Sequence, residues 1–309
     1  MANIKTNEKK KHYLSKQTQC YLLLALPLIG FFVFSIYPIL WAFAKSAYYY
    51  DKNPFNTRFT GIKNYVNLFT VDLTYWKAWL TTLKFAAWKL PFEVPAALLI
   101  AFMMRNISKK SGTVFRAIFC LPNIISVVII GVIFSNLFDY FGCINVYLTK
   151  IGLIKEPIDW FSKPGSSMFA LCVGSVWASI GINILYFTAA LANVPDDVYE
   201  AAKIDGANGT TTFFKITIPM ISPVFQTILL LAINGTVHCG EFVIAYTNGA
   251  PGGMTHTVGS YMINTFLPGF AHGTPNIGYG CAMAAVTSLL SALIAVLYSM
   301  FTKKMKEVY

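Results

Sequence analysis

Inside the long apolar stretches of this chain a few polar side chains recur at helical spacing. Cys172, Ser175, Ser179 and Asn183 fall on one helical stripe, and Asn234, His238 and Glu241 on another. Glu93 and Ser126 stand in two further apolar stretches. A charge at the centre of a membrane helix costs roughly 2.5–3.5 kcal/mol on the insertion scale, so such groups face a cavity or a partner. Counting inward from the ends of the stretches brings Ser179, Asn183, Asn234, Ser126 and Glu93 to a similar depth. Hydroxyls, amides and a carboxylate at one level suit a polyhydroxylated ligand such as a sugar, with Trp177 or Tyr186 available for its apolar ring faces. Two other readings fit the same residues. His238, Glu241 and Glu93 could relay protons or sodium ions. Alternatively Ser and Asn hold neighbouring helices together, while His238 pairs with Glu241 at i+3 and Lys89 with Glu93 at i+4. The residue types alone leave all three open.

Nucleotide chemistry finds no purchase here. The chain has no G-x-x-x-x-G-K-[ST] phosphate cradle, no H-E-x-x-H and no G-x-S-x-G. A membrane enzyme acting on a lipid-linked sugar would need a catalytic constellation, and none is evident. The six cysteines are far apart with no C-x-x-C spacing, so neither a disulfide framework nor a zinc site follows. The net charge of +11 is scattered between apolar runs, unlike the single basic face of a nucleic-acid binder.

The elements that must carry these residues follow from composition. Of 309 residues, 56% are hydrophobic and 12% charged, more apolar content than one soluble core can bury. Six runs reach the roughly 20 residues a spanning helix needs: Cys20–Phe43, Leu80–Met104, Val114–Phe138, Met168–Leu191, Val224–Tyr246 and Tyr279–Phe301. Trp41, Trp76, Trp79 and Trp160 mark their ends as interfacial anchors. The triplet Ala42-Phe43-Ala44 has the form of a cleavage site, but the run before it is longer than a signal-peptide core, which predicts an uncleaved first span. Lysine and arginine collect at 5–16, 105–116, 203–215 and 303–306. Positive charge marks the cytoplasmic side, so both termini are expected there. The expected organisation is a basic tail at 1–17, a first span and outer loop at 18–76, a five-helix core at 77–303 and a short tail at 304–309.

Between the fourth and fifth runs, residues 193–222 read NVPDDVYEAAKIDGANGTTTFFKITIPMIS. Pro195 suits a first helical turn, Asp196 and Asp197 favour it electrostatically, and Gly206 stops it. Thr210–Thr212 are expected to cap a second short helix through Ile216, broken by Pro219 and Pro223 before the fifth span. The first helix is too short to be stable alone in water, so something must pack against it. Headgroup-lying helices favour lysine and arginine on their polar face, whereas this one is acidic. Val198, Ala201, Ala202 and Ile204 offer it an apolar surface, and Glu200 and Asp205 offer charge for a basic partner.

This pattern, EAA followed by Asp205-Gly206-Ala207, Phe213-Phe214-Lys215-Ile216 and Ile218-Pro219, resembles the EAA loop of the integral membrane permease subunits of binding-protein-dependent ABC importers. Ile218 stands where that family usually has leucine. FTGIKNYVNLF at 59–69, FRAIFCLPNIIS at 115–126, IDWF at 158–161 and TNGAPGG at 247–253 are similar to its sugar-importer branch, the maltose and glycerol-phosphate types. The resemblance implies an all-α, six-span permease of the type I importer architecture in a bacterial or archaeal cytoplasmic membrane. It implies as partners a second permease chain, a cytosolic ATPase dimer, an extracytoplasmic solute-binding protein and a sugar, and no nucleic acid. No cofactor is implied on this chain, since ATP and magnesium would sit on the ATPase. Carried over residue by residue, Glu200 would pair with a basic residue of the ATPase, Ala201 and Ala202 would allow close approach, and Asp205 and Gly206 would complete the joint. The spans flanking the loop would contribute to the sugar pathway, and the outer loops at 45–77 and 246–277 would receive the binding protein.

Overall fold

A computed structural model describes residues 20–21, 23–105, 107–267, 269–271 and 275–306; the basic tail lies outside them. The described residues are mostly helical, as a backbone in hydrocarbon must be to satisfy its own hydrogen bonds. In order they form α1 (Leu23–Lys45), β1 (Tyr48–Tyr49), β2 (Arg58–Phe59), α2 (Lys63–Thr70), α3 (Leu73–Arg105), α4 (Lys109–Ile124), α5 (Val127–Leu137), α6 (Cys143–Lys150), α7 (Pro164–Ala192), α8 (Asp196–Ile204), α9 (Gly209–Val237), α10 (Gly240–Tyr246), α11 (Val258–Phe266) and α12 (Ile277–Lys306).

The chain divides into two compact units. The first comprises residues through Asn67 with Asn276–Ala285. Its small antiparallel ribbon pairs Tyr48 with Phe59 and Tyr49 with Arg58. Asn64 fastens that ribbon by donating through Nδ2 to the carbonyls of Ser46 at 2.8 Å and Tyr48 at 3.0 Å. The second unit comprises Leu68–Pro275 with the chain from Val286 onward. Its core has two parts. Ala97, Leu98 and Ala101 of α3 meet Ile184, Phe187 and Leu191 of α7 and Ile228 of α9. Phe85, Ile130, Leu171, Val243 and Tyr246 form the other. Small residues set the helix separations, because lipid gives no hydrophobic drive between spans and close packing must supply the attraction. A Cβ on Gly181 of α7 would collide with the Phe119 carbonyl of α4, so only glycine permits that crossing.

Among the described residues five helices are long and apolar enough to cross a membrane, and a bent pair makes a sixth crossing if counted as one. The bent pair corrects the expected third span. Instead of one helix from Val114 to Phe138, α4 and α5 meet at 93°. Ile125 and Ser126 between them are extended, with ψ of 140° and 133°. Pro122 accounts for the weakness: it has no N–H for the Ile118 carbonyl, and the ladder fails within a turn.

The fifth span is displaced as well. Rather than starting at Val224, α9 starts at Gly209 and runs unbroken past Pro219 and Pro223. Its cap is Asn208, whose side chain accepts from Thr211 N–H at 2.8 Å, not the threonines. Thr212–Thr217 form a π-helical turn in which the Ile218 N–H reaches back five residues to Phe213. That slip of register immediately before Pro219 absorbs the proline that would otherwise break the helix. At the far end α9 stops at Val237, with His238 as its C-cap, and α10 begins at Gly240.

Candidate functional site

The break between α4 and α5 has a physical consequence. Two extended residues leave backbone amides and carbonyls without helical partners, and at membrane depth this is tolerated only inside protein or beside a cavity. Such a cavity exists, with a volume of about 490 Å³, and Pro122, Asn123, Ile125 and Val127 from the break line it. Facing them are Lys89 and Glu93 of α3, Ser175, Ser179, Asn183 and Tyr186 of α7, and Leu231 and Gly235 of α9. Four of the predicted pathway residues, Glu93, Ser175, Ser179 and Asn183, therefore meet in one place, and Ser126 sits in the bend itself.

The polar core of this cavity is a buried ion pair. Lys89 Nζ lies 3.3 Å from Glu93 Oε2, and the two residues are 4% and 1% exposed. Asn183 Nδ2 donates to Glu93 Oε1 at 2.7 Å, across from α7 to α3. Lys89 reaches Thr236 Oγ1 on α9 only at 3.5 Å, and Glu93 Oε2 accepts no hydrogen bond beyond the ion pair. Ser179 Oγ donates to the Ser175 carbonyl at 2.7 Å, leaving its lone pairs toward the cavity. Asn123, adjacent to the break, was not anticipated; its signal was the Pro-Asn pair ending a helix.

The second predicted stripe does not hold together. Asn234 lies in the last turn of α9, three residues before the helix ends. Asn234 and His238 line a different recess of about 400 Å³, with Ser288 and Ser291 of α12. Glu241 lies beyond the helix break on α10, is exposed, and makes no ion pair with His238. A relay through His238, Glu241 and Glu93 thus loses its geometry. Trp177 also leaves the polar cavity: its ring meets that of Phe134 at a 50° tilt, centroids 5.4 Å apart, and it lines an apolar recess of about 730 Å³ with Trp88, Phe92 and Phe169.

The acidic loop forms the helix α8 that its sequence predicts. Gly206 adopts φ of 76°, and the helix ends in a Schellman motif with Ala207 N–H on the Ala202 carbonyl at 2.9 Å and Gly206 N–H on Lys203 at 3.2 Å. Its faces are sorted differently from the expected apolar surface. Ala202 is buried and Tyr199 packs half-buried against this chain's own core, whereas Glu200, Ala201, Asp205 and Gly206 are exposed and Ile204 is 86% exposed. Arg105, the last residue of α3, holds this helix from within. Its guanidinium lies 3.3 Å over the Tyr199 ring and 2.7 Å from Asp196 Oδ1. The Asp196 carboxylate is 86% exposed, so that ion pair contributes at most about 1 kcal/mol. The partly desolvated stack is the stronger contact, about 0.5–2 kcal/mol. Phe102 and Phe213 add an edge-to-face pair at 4.9 Å.

On the segment after α10, TNGAPGG folds as a run of left-handed turns: Asn248, Gly249, Gly252 and Gly253 all have positive φ. The His256 ring packs on Gly249, and burial lowers its pKa. Its Nδ1 lies 3.1 Å from Ser260 Oγ and its Nε2 3.4 Å from Asn264 Nδ2. Tyr261 donates to both oxygens of Asp72 at 2.8 and 3.0 Å. Burial and that carboxylate raise its phenol pKa.

Residues 93–307 match the family described as binding-protein-dependent transport system inner membrane component. The chain is 31% identical to the arabinooligosaccharides transport system permease protein AraP of Bacillus subtilis (strain 168), over 92% of this chain and 88% of that protein. It is 32% identical to the lactose transport system permease protein LacF of Rhizobium radiobacter, over 84% and 87%. Among solved structures, a chain of the bacterial alginate ABC transporter in complex with an alginate pentasaccharide-bound periplasmic protein superposes with a TM-score of 0.73. That match covers 94% of each chain at 22% identity, a likeness of fold. With a family match over more than two thirds of its length and relatives above 30% identity, this chain belongs to the inner-membrane permease components of binding-protein-dependent ABC transport systems, multi-pass proteins of the cytoplasmic membrane.

Proposed function

We propose that this permease carries a carbohydrate through the cavity between α3, the α4–α5 bend, α7 and α9. The observation that carries the reading is the bend: a spanning helix broken at mid-course, beside a cavity holding Glu93, Lys89, Ser175, Ser179 and Asn183. Carboxylate, ammonium, hydroxyl and amide groups together match the donors and acceptors of a neutral sugar. Relatives named for arabino-oligosaccharides and lactose support the same class. Asn234 and His238 belong to a second recess, which a similar permease chain would complete, and Glu241 stands apart from both.

In this reading an extracytoplasmic binding protein delivers the sugar and a cytosolic ATPase dimer, holding ATP and magnesium, drives alternating access. Helix α8 is the docking element, and its exposed Glu200, Ala201, Ile204 and Asp205 are the face offered to the ATPase. Ala202 packs inward, and Gly206 sets the turn into α9. Both termini then lie in the cytoplasm.

The test is uptake by the tagged complex reconstituted in vesicles with its binding protein, using labelled lactose and arabinotriose as probes and ATP inside. ATP-dependent accumulation of one of them is expected, falling at least tenfold in Asn183→Leu while the ATPase still co-purifies. Accumulation that ignores ATP and collapses with an uncoupler would refute the reading.

A further inference from the structure

We infer that Arg105 is the positioning residue that transmits displacement of α8 into the helix carrying the polar cavity; the inference rests on α8 being the ATPase-docking element. Helix α8 has nine residues and is marginal by itself, so whatever holds it decides where its movement goes. Its chain connections run back through Asn193–Pro195 to α7 and on through the Gly206 turn to α9, and Thr217 Oγ1 of α9 donates to Tyr199 Oη at 3.4 Å. Its ion pair and cation–ring contact with α3 both come from Arg105, which touches Asp196 and Tyr199, two residues three apart on one face of α8.

Arg105 is the C-terminal residue of α3, and Glu93, Ala97 and Ala101 precede it at intervals of four, on one stripe that winds about 120° round the helix. Those three residues are buried, with Ala97 and Ala101 packed in the core shared with α7. The stripe therefore rises about 18 Å along the helix axis from Glu93 to Arg105. A pull on α8 is applied at one end of that stripe, and the Lys89–Glu93–Asn183 network sits at the other. The stack on Tyr199 carries the load in preference to the Asp196 pair, since water screens the exposed carboxylate and a planar guanidinium covers a ring more fully than an ammonium.

The experiment places a cysteine at Ala178, which lines the cavity, in a chain otherwise free of cysteine, and measures its labelling by a maleimide in the purified complex with its ATPase. Labelling is compared without nucleotide and with ATP plus vanadate. The wild-type residue at 105 is expected to give at least a fivefold difference between the two states. Arg105→Ala and Arg105→Lys reduce it to less than twofold, whereas Asp196→Asn and Tyr199→Phe, which keep the stack, retain it. Arg105→Ala retaining the full difference overturns the inference, as does loss of the ATPase from that complex, which would make Arg105 a docking residue. If the wild-type complex itself shows no nucleotide response, the docking reading beneath the inference fails instead.

Discussion

Lys89 and Glu93 neutralise one another where neither could stand alone. Breaking a buried pair by removing one partner costs about 3–5 kcal/mol, whereas removing both charges is often near neutral. Lys89→Met is therefore expected to lower the thermal unfolding temperature of the solubilised chain strongly, and Lys89→Met with Glu93→Gln to recover most of the loss. Glutamine can still pair with Asn183, so equal destabilisation by both variants would count against the ion pair as the reason. This pair was readable in the sequence from its i+4 spacing, as was the stripe of Ser175, Ser179 and Asn183 from its period. Arg105 was not: it read only as a cytoplasmic basic residue, because the carboxylate it meets lies 91 positions away. Periodicity reports neighbours along one helix and says nothing of contacts between helices.

At the scale of elements, α8 followed its punctuation closely, since acidic first turn, helix formers and glycine stop all agreed. The continuous helices expected over Val114–Phe138 and Val224–Tyr246 did not. Hydropathy runs straight through Ile125–Ser126 and through His238–Cys239, and an apolar window cannot tell a continuous helix from two meeting at a corner. Pro122 was the local clue at the first break, yet Pro219 and Pro223 gave the same clue inside a helix that stays whole. The outer segment around His256 yields a pH prediction. Burial depresses this imidazole's pKa, so below about pH 6.5 the unfolded chain binds a proton that the folded one resists. Stability contributed by the neutral ring is present above that pH and is lost as pH falls toward the lower folded value. Unfolding scans from pH 7.5 to 5 should show this decline, and His256→Gln should flatten it; an unchanged slope would place the titrating group elsewhere.

For the whole molecule the issue is which surface meets the motor. The sorting of α8 into an inner face gripped by the chain and an outer face of Glu200, Ala201 and Ile204 makes the outer charge the one to reverse. Glu200→Lys is expected to leave the chain inserted and α8 folded, yet to cut the ATP turnover stimulated by loaded binding protein several-fold in the reconstituted complex. Stimulation at the wild-type level would argue that the ATPase docks elsewhere. The polar cavity and α8 belong to one compact unit and share α3, so a change at either is felt within a single packed body.

The widened turn at Thr212–Thr217 holds one residue more than the α-helical ladder around it requires. A helix advances about 100° per residue, so tightening that turn by one position would swivel the remainder of α9 by roughly that angle. Leu231 and Gly235 would swing away from the cavity wall and other side chains would take their place, without any helix unwinding.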